Sequence, residues 1–513
     1  MLQKGNIRPY LSVFFSALLL GLSRLFPATA SFSIVAFLPL FHFFETSELN
    51  WKVILKASAL FSIVYTIVAL HWIALVTGPG VFGMMILFTG YFFILFLLIG
   101  YIWKKLPYFR LYGFIFWWLS FEFLMTLGEL RFPWFNVGYA FADYFVQIQV
   151  ADIGGIYLIS GCVLLINVFL YQIYLKKWNY LYALIALLIL WNGYGIYRIY
   201  TIPLTKQPDK IAIMQPSIPQ TEKWEPGQLV KILTSYERLT KEAGAKGTKL
   251  LIWPEASIPD YFLQSPELQY IVGNLSQTLD MDIFAGFPDA LSAPENYPSQ
   301  YLYYNSASLI HPDGKIDEPY RKNILVPVGE RMPFMKVFPI LWKVQFGQAN
   351  WEYGKSYSYF QSQGHTFSPL ICFEIAFPEF IAHMASHQVD YLVNITNDAW
   401  FYHSRGTYQH ETMAKVRAVE IRKEIYRCAN TGISTVIDPL GRTMVKSKLY
   451  VVEDLYAPLY TTTITSPYVK WGVKTPYFYL IIAIILFLLA IFRRKCRICR
   501  MIDQNIDKKR SSE

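Results

Sequence analysis

Charge is scarce in this chain. Only 16% of its 513 residues are Asp, Glu, Lys or Arg, against roughly 25% in an ordinary soluble domain, which excludes a chain solvated on all sides. Cysteine is scarce as well, at five, and its spacing closes no metal site. Cys496 and Cys499 form a single CxxC, while Cys162 lies in an apolar run and Cys428 in a strand-like one, where packing is the default role. His383 and His387 stand four apart but lack the glutamate of a metal-binding HEXXH helix and any third ligand, so they read as solvated or capping residues. There is no phosphate-binding glycine loop, no nucleotide signature, no repeat and no low-complexity segment. What is abundant is apolar: 54% of residues are hydrophobic, 18% are aromatic, and the mean hydropathy is +0.30.

That apolar content is organised into runs. Stretches of spanning length, about 20 residues each, lie near 9–27, 52–76, 80–103, 110–128, 155–175, 178–198 and 477–492, and the shorter FSIVAFLPLFHFF at 32–44 counts with them. The pattern predicts seven transmembrane helices before a large polar segment and one after it. Lys and Arg then orient the bundle, because they concentrate in cytoplasmic loops. Lys4 and Arg8 precede the first span, Lys52 and Lys56 follow the second, Lys104, Lys105 and Arg110 the fourth, and Lys176 and Lys177 the sixth. Alternate loops are poor in them: 77–80 has none, and 129–154 sets Arg131 against Glu129, Asp143 and Asp152. The N-terminus is expected inside and residues 199–476 outside. Residues 493–513 hold eight Lys or Arg against Asp503, Asp507 and Glu513, a surplus of +5 and half of the chain's +10. In this setting that tail reads as a cytoplasmic stop signal, and nucleic acid is not an expected partner. Ala28, Thr29 and Ala30 resemble a signal-peptide cleavage site, but a second apolar segment follows at once, so a retained first helix is expected.

Three units follow: a membrane domain over 1–198, a unit over 199–460 long enough to bury its own core, and a linker, last span and basic tail over 461–513. In the middle unit IAIMQPSI, KLLIWPEA, DIFAGFP, YYNSASLIHPDG, SPLICFE, DYLVNITND and TGISTVIDPLG read as strands. Continuous apolar strands of this kind are buried on both faces, which implies sheets covered by helices. LVKILTSYERLTKEAGAKG and YQHETMAKVRAVEIRKEIYR carry helical spacing.

Three residues of this unit supply the parts of an acyl-transfer site. Cys372 in PLICFEIAFPE offers a thiol nucleophile, Glu255 in LLIWPEASIP a carboxylate base, and Lys322 in YRKNILVPVGE an ammonium to hold an oxyanion. A free thiol with a pKa near 8.5 needs such a base or positive neighbours to react. Phe373 N–H would be a second oxyanion donor if Cys372 ends a strand and starts a turn. Singly, a Cys in an apolar run is core and a Glu or Lys is surface; together, beside a membrane domain, they point to acyl transfer near a bilayer.

The order and contexts of these motifs resemble the carbon-nitrogen hydrolase (nitrilase) superfamily, an αββα sandwich with a Glu, Lys, Cys triad. WPE at Glu255, the Lys322 segment running into VPVGE, CFE at Cys372 and NDAWF at 397–401 carry the likeness. Together with seven spans before and one after, and with RFPWFNVGYAFADY between the fifth and sixth, the whole chain resembles the apolipoprotein N-acyltransferase family. The resemblance implies a multi-pass inner-membrane enzyme with a periplasmic catalytic unit. Its acyl donor would be a phospholipid and its acceptor the α-amine of a diacylglyceryl-cysteine apolipoprotein, with no metal or organic cofactor. It also implies supporting roles for Glu330 and Glu374, which would hold Lys322. Phe373 departs from the Tyr of better-known members. Trp224, Trp342 and Trp400 stand as candidates for substrate contact. The apolar stretch 329–360, with Phe334, Phe338, Leu341, Trp342 and Phe346, is either an interfacial lid of the kind the family has or a satellite core. Two other functions stay open: a membrane-tethered amidase, in which water resolves the thioester, and a silent lipid- or lipoprotein-binding protein.

Overall fold

The computed structural model describes residues 7–78, 80–344 and 350–492. Lys4, Phe346 and the basic tail with Cys496 and Cys499 lie outside the described residues. Among those described, six helices are long and apolar enough to cross a membrane: Pro27–Thr46, Trp51–Ala69, Gly80–Lys105, Gln147–Tyr174, Asn179–Thr201 and Gly472–Ile491. The other two expected spans fall on Arg8–Leu22 and Arg110–Leu124, of 15 residues each. That is about 22 Å at 1.5 Å per residue, short of a hydrocarbon core about 30 Å thick. Arg110–Leu124 has the apolar signal of a span because it is buried on nearly every side, and a helix buried all round is apolar all round. Its Trp118 and Phe114 take the rings of Phe37 and Phe41 edge-on, at 4.6 and 4.8 Å between centroids.

The polar unit contains two six-stranded sheets. The first is ordered β12-β1-β2-β3-β4-β5, from Glu453–Thr461 (β12), Thr205–Gln215 (β1), Leu250–Ile252 (β2), Asp282–Ser292 (β3), Tyr301–Ile310 (β4) and Tyr320–Arg321 (β5). The second is ordered β11-β10-β9-β8-β7-β6, from Thr443–Lys446 (β11), Thr435–Ile437 (β10), Glu424–Ala429 (β9), Tyr391–Thr396 (β8), His365–Ile371 (β7) and Phe360–Ser362 (β6). The parallel pairs sit at the centre of each, β1–β2–β3 and β7–β8–β9, and their strands are the continuous apolar ones, as burial on both faces requires. Phe284 of β3 meets Phe360 and Phe367 of the other sheet at 5.4 and 5.2 Å; truncating such a ring to Ala costs about 3–5 kcal/mol. Gln228–Ala245 and Pro266–Leu279 cover the first sheet, and Pro378–Ser386 and Arg405–Ile421 the second. The αββα sandwich that the family resemblance implied is the arrangement found.

The helices over the second sheet have the membrane domain on their other side. Arg422 pairs with Asp152 at 2.7 Å, both fully buried, and reaches Gln149 at 2.8 Å; Lys415 pairs with Asp143; and Tyr157 Oη donates to Glu379 at 2.7 Å. The acids of loop 129–154 thus face the two-sheet unit, which puts loop and unit on one side of the bundle. Helix Ala151–Tyr174 breaks at Gly154 and Gly155. Gly155 has φ +65°, and a Cβ there would lie 2.6 Å from the Tyr468 ring, so only glycine fits. The restarted helix is capped from the catalytic unit, where Glu420 Oε1 accepts from Ile156 N at 2.7 Å.

One helical expectation is corrected here. YQHETMAKVRAVEIRKEIYR is not helical to its end: the helix stops at Ile421, Arg422 turns left-handed at φ +54°, and Glu424 begins β9. The Arg422 guanidinium is held by Asp152, and β9 is buried between β8 and β10. Tertiary pairing overrides the local pattern.

Candidate active site

Each of the three expected chemical groups stands just past the end of a strand. Glu255 follows β2 after Trp253 and Pro254, and Ala256 beyond it is left-handed at φ +47°. Gly286 of β3 permits that turn, because a Cβ there would sit 2.8 Å from Ala256 N. Lys322 follows β5, and Cys372 follows β7 at the first position of a 3-10 turn, Cys372–Ala376. Cys372 itself has φ +53°, a conformation costing a non-glycine residue on the order of 1–3 kcal/mol and one that clusters at functional sites. The turn that starts at Cys372 is also where N–H groups lack partners within the helix, and Phe373 lies at its second position.

Lys322 is fully buried between two carboxylates, 2.7 Å from Glu330 Oε1 and 3.7 Å from Glu255 Oε1. Asn305 Nδ2 donates to Glu255 Oε1 at 2.7 Å and lies 3.5 Å from Glu330 Oε1, and Val326 N donates to Glu330 Oε2 at 2.8 Å. Burial alone would lower the Lys322 pKa, but Glu330 and then Glu255 overcome it and hold the ammonium well above its ordinary range. Cys372 moves the other way in reactivity: burial first, then Glu255, push its thiol up, with Lys322 pulling against them. Cys372 is therefore held as a thiol, which would need a proton acceptor to react with a carbonyl.

Glu330 has the contact with Lys322 that was expected; Glu374 does not. Glu374 grips backbone instead. It accepts from Asn323 N at 2.7 Å, Ile324 N at 3.1 Å and Ile371 N at 2.7 Å, and Tyr320 Oη lies 2.8 Å from both its oxygens. One buried carboxylate thereby ties the chain after Lys322 to the chain before Cys372. Burial raises its pKa to about 7, with the Ile371 N–H opposing.

Several residues at the site have no motif that would have flagged them. Asn305 is one. Lys223 is another: its buried ammonium donates to the Glu255 carbonyl at 2.9 Å, and burial lowers it to about 8 against the pull of Glu255. Behind the nucleophile, His410 Nε2 lies 3.2 Å from the Cys372 carbonyl oxygen and Nδ1 3.0 Å from Asp398 Oδ1. Burial works to raise Asp398, yet Arg427, 2.6 Å away, and His410 hold it down to about 2. Asp398 lies in the NDAWF motif, whose likeness gave a signal without a role.

Phe373 is buried with Trp134 of the membrane-domain loop stacked on it, 5.7 Å between centroids and 13° between planes, and Phe377 edge-on at 5.0 Å. The residue after Cys372 thus rests on the membrane domain. The three candidate tryptophans occupy separate loops. Trp224 follows Lys223 and is exposed, Trp400 is exposed beside Asp398, and Trp342 is half-buried between Tyr297 at 5.0 Å and the Arg331 guanidinium at 5.4 Å. Among the described residues of the 329–360 stretch, Phe334, Val337, Phe338 and Ile340 are exposed.

A two-sheet hydrolase sandwich that presents Glu, Lys and Cys at strand ends and is docked on an apolar bundle defines the class: a membrane-bound member of the carbon-nitrogen hydrolase fold. Residues 210–456 match the carbon-nitrogen hydrolase family, and residues 16–169 match the apolipoprotein N-acyltransferase N-terminal domain. The apolipoprotein N-acyltransferase of Rickettsia prowazekii is 30% identical over 418 residues, 78% of this chain and 82% of that one. Its counterpart in Rickettsia typhi is 27% identical over 504 residues, 94% and 98% of the two chains. That of Geobacter metallireducens is 34% identical over 345 residues, 65% of each. A solved carbon-nitrogen hydrolase superfamily protein of Xanthomonas campestris is 17% identical, with a TM-score of 0.37 over 49% of this chain and 89% of that one. The chain belongs to the apolipoprotein N-acyltransferase family.

Proposed function

We propose that this enzyme moves a fatty acyl chain from a membrane phospholipid to the free α-amine of the diacylglyceryl-cysteine at an apolipoprotein's N-terminus. The observation that carries the reading is the position of the nucleophile: Cys372 sits in a strained turn whose next residue packs on the membrane domain's Trp134, next to a buried ammonium flanked by Glu255 and Glu330. In the first half-reaction Glu255 takes the Cys372 proton as the sulfur attacks the donor's ester carbonyl. Lys322 and Phe373 N–H stabilise the oxyanion. The lysophospholipid leaves with the proton from Glu255, and a thioester remains. In the second, the acceptor amine attacks the thioester, Glu255 takes the amine's proton and returns it to the departing sulfur, and an amide forms. The enzyme would lie in the inner membrane with eight spans, the two shorter helices included, and the catalytic unit in the periplasm.

Purified protein incubated with phospholipid and a diacylglyceryl peptide should yield triacylated peptide by mass spectrometry. Release of free fatty acid with no acylated peptide would replace this reading with a hydrolase. Reporter fusions after residues 300 and 513 should report opposite compartments; the same compartment for both would overturn the orientation.

A further inference from the structure

Next to the catalytic loops lies a cavity of about 410 Å³. Its wall joins three parts of the chain. Glu129 and Arg131 come from the membrane-domain loop; Asn323 is the residue after Lys322, and Arg331 the residue after Glu330; Lys336 and Tyr353 belong to the stretch with the exposed apolar side chains. Three cations face one carboxylate. That carboxylate is engaged, since Glu129 accepts from Phe334 N, and Arg331 is held by Glu352 at 2.6 Å. Arg131 and Lys336 form no ion pair among the described residues. The Arg131 guanidinium lies over the rings of Tyr353 and Phe377, 6.0 and 5.9 Å from their centroids. The Tyr353 hydroxyl also engages this guanidinium, whose planar fork of five N–H donors has others that suit a phosphate.

We infer that this cavity is a phosphodiester subsite, and that it holds the phosphate of the acyl donor while the donor's ester faces Lys322 and Cys372. The inference rests on the acyl-donor reading above and names what distinguishes donor from acceptor within it. Few bonds of glycerol separate a phospholipid's phosphate from its ester carbonyls, and Asn323 and Arg331 are chain neighbours of Lys322 and Glu330. Exposed Phe334, Val337, Phe338 and Ile340 stand close in sequence to Lys336, on a stretch where acyl chains would lie. The diacylglyceryl-cysteine acceptor has no phosphate and presents an amine, which a cavity rich in cations does not favour. The subsite therefore acts in the first half-reaction and not in the second.

The test measures hydroxylamine-labile acylation of Cys372 in the full-length enzyme, with dioleoyl phosphatidylglycerol and with dioleoylglycerol, a donor with the same esters and no phosphate. The wild type should acylate faster from the phospholipid. Arg131→Gln, and separately Lys336→Gln on the surface, should shrink that ratio, the former by about 10-fold or more, the scale of a lost hydrogen bond to a charged group. Arg131→Lys should recover part of it. Discharge of the preloaded thioester by diacylglyceryl peptide should keep its rate in every variant. An unchanged donor ratio, or equal slowing of both half-reactions, would overturn the subsite. So would inorganic phosphate at millimolar concentration blocking phospholipid and dioleoylglycerol alike, which would mark a free-anion site. Absence of a thioester from either donor in the wild type would instead overturn the acyl-donor reading itself.

Discussion

Two helices cover opposite sides of the sandwich, and they solve the same problem in different surroundings. Gln228–Ala245 buries Ile232, Tyr236, Leu239 and Ala243 on its sheet and turns Glu237, Arg238, Lys241 and Glu242 to water, where they pair four residues apart. Arg405–Ile421 buries both faces, one on the second sheet and one on the membrane domain, and His410, Glu411, Arg417 and Glu420 are all buried. A charged group under such conditions must be paired or hydrogen-bonded. The outer layer closes a core; the inner layer closes a core, docks the bundle and holds the nucleophile's turn. The site draws on both sheets, with Glu255 and Lys322 after strands of the first and Cys372 after a strand of the second.

The largest test of that contrast is the site itself. Cys372→Ala should abolish the phospholipid-derived thioester, and Glu255→Gln should block both half-reactions. Lys322→Met should slow acylation by about 100-fold or more, the scale of a lost oxyanion donor. Gel-resolved acylation with radiolabelled phospholipid reads all three. Glu237→Ala on the outer helix should leave the rate unchanged; a comparable loss there would erase the distinction between the layers.

Next come the ion pairs. Asp152→Asn leaves Arg422 and Arg198, 2.7 Å away on either side, without their carboxylate, a loss of about 3–5 kcal/mol for a buried pair broken on one side. Lys241→Ala on the outer helix removes an exposed pair worth about 0.3–0.5 kcal/mol. Thermal unfolding in detergent should separate the two by several degrees. Similar shifts would mean that the interface is wetter than its burial implies.

Gly155→Ala is expected to cost about 1–3 kcal/mol, because alanine is strained at φ +65° and its methyl meets Tyr468. The helix restart capped by Glu420 would shift with it. The readout is thermal stability together with proteolysis between the membrane and catalytic units; an unchanged melting point would show that the break tolerates a side chain.

The contrast also explains what could be read in the sequence. Gln228–Ala245 was legible because water on one face leaves an amphipathic stripe. The central strands were legible because burial on both faces leaves continuous apolar runs. The meeting of Lys322 with Glu255 and Glu330 was legible from their motif contexts. Arg405–Ile421 was legible as a helix but not in its extent, because Arg422 is turned by Asp152, 270 residues earlier. Glu374 was noted by position, but its grip on three backbone N–H groups was not, since such a grip leaves no trace in spacing. Asn305, Lys223 and His410 were silent for the same reason: each is defined by what folding brings to it. Helix length was the other gap, for Arg110–Leu124 measures only 15 residues, a shortness that its apolar composition does not show.

The smallest expected effect is a flat line, and it bears on how the nucleophile works. A solvated thiol loses its proton near pH 8.5, and a cysteine placed at Thr234 on the outer helix should show that inflection when alkylated by a neutral maleimide. Cys372 has its pKa raised by burial and then by the Glu255 carboxylate, with Lys322 only partly offsetting them. A raised pKa means the protonated form persists through pH 7–9, so alkylation of Cys372 should be slow and show no inflection in that window. Glu255→Gln removes a negative neighbour, which favours the thiolate. In that variant alkylation should quicken and its midpoint should move down in pH even as acyl transfer is lost. The two rates moving in opposite directions would separate proton acceptance by Glu255 from simple thiolate stabilisation. A wild-type inflection near 8.5 would mean that neither burial nor Glu255 raises the thiol above its ordinary range, and an unaltered profile in Glu255→Gln would mean that the Glu255 charge does not act on it.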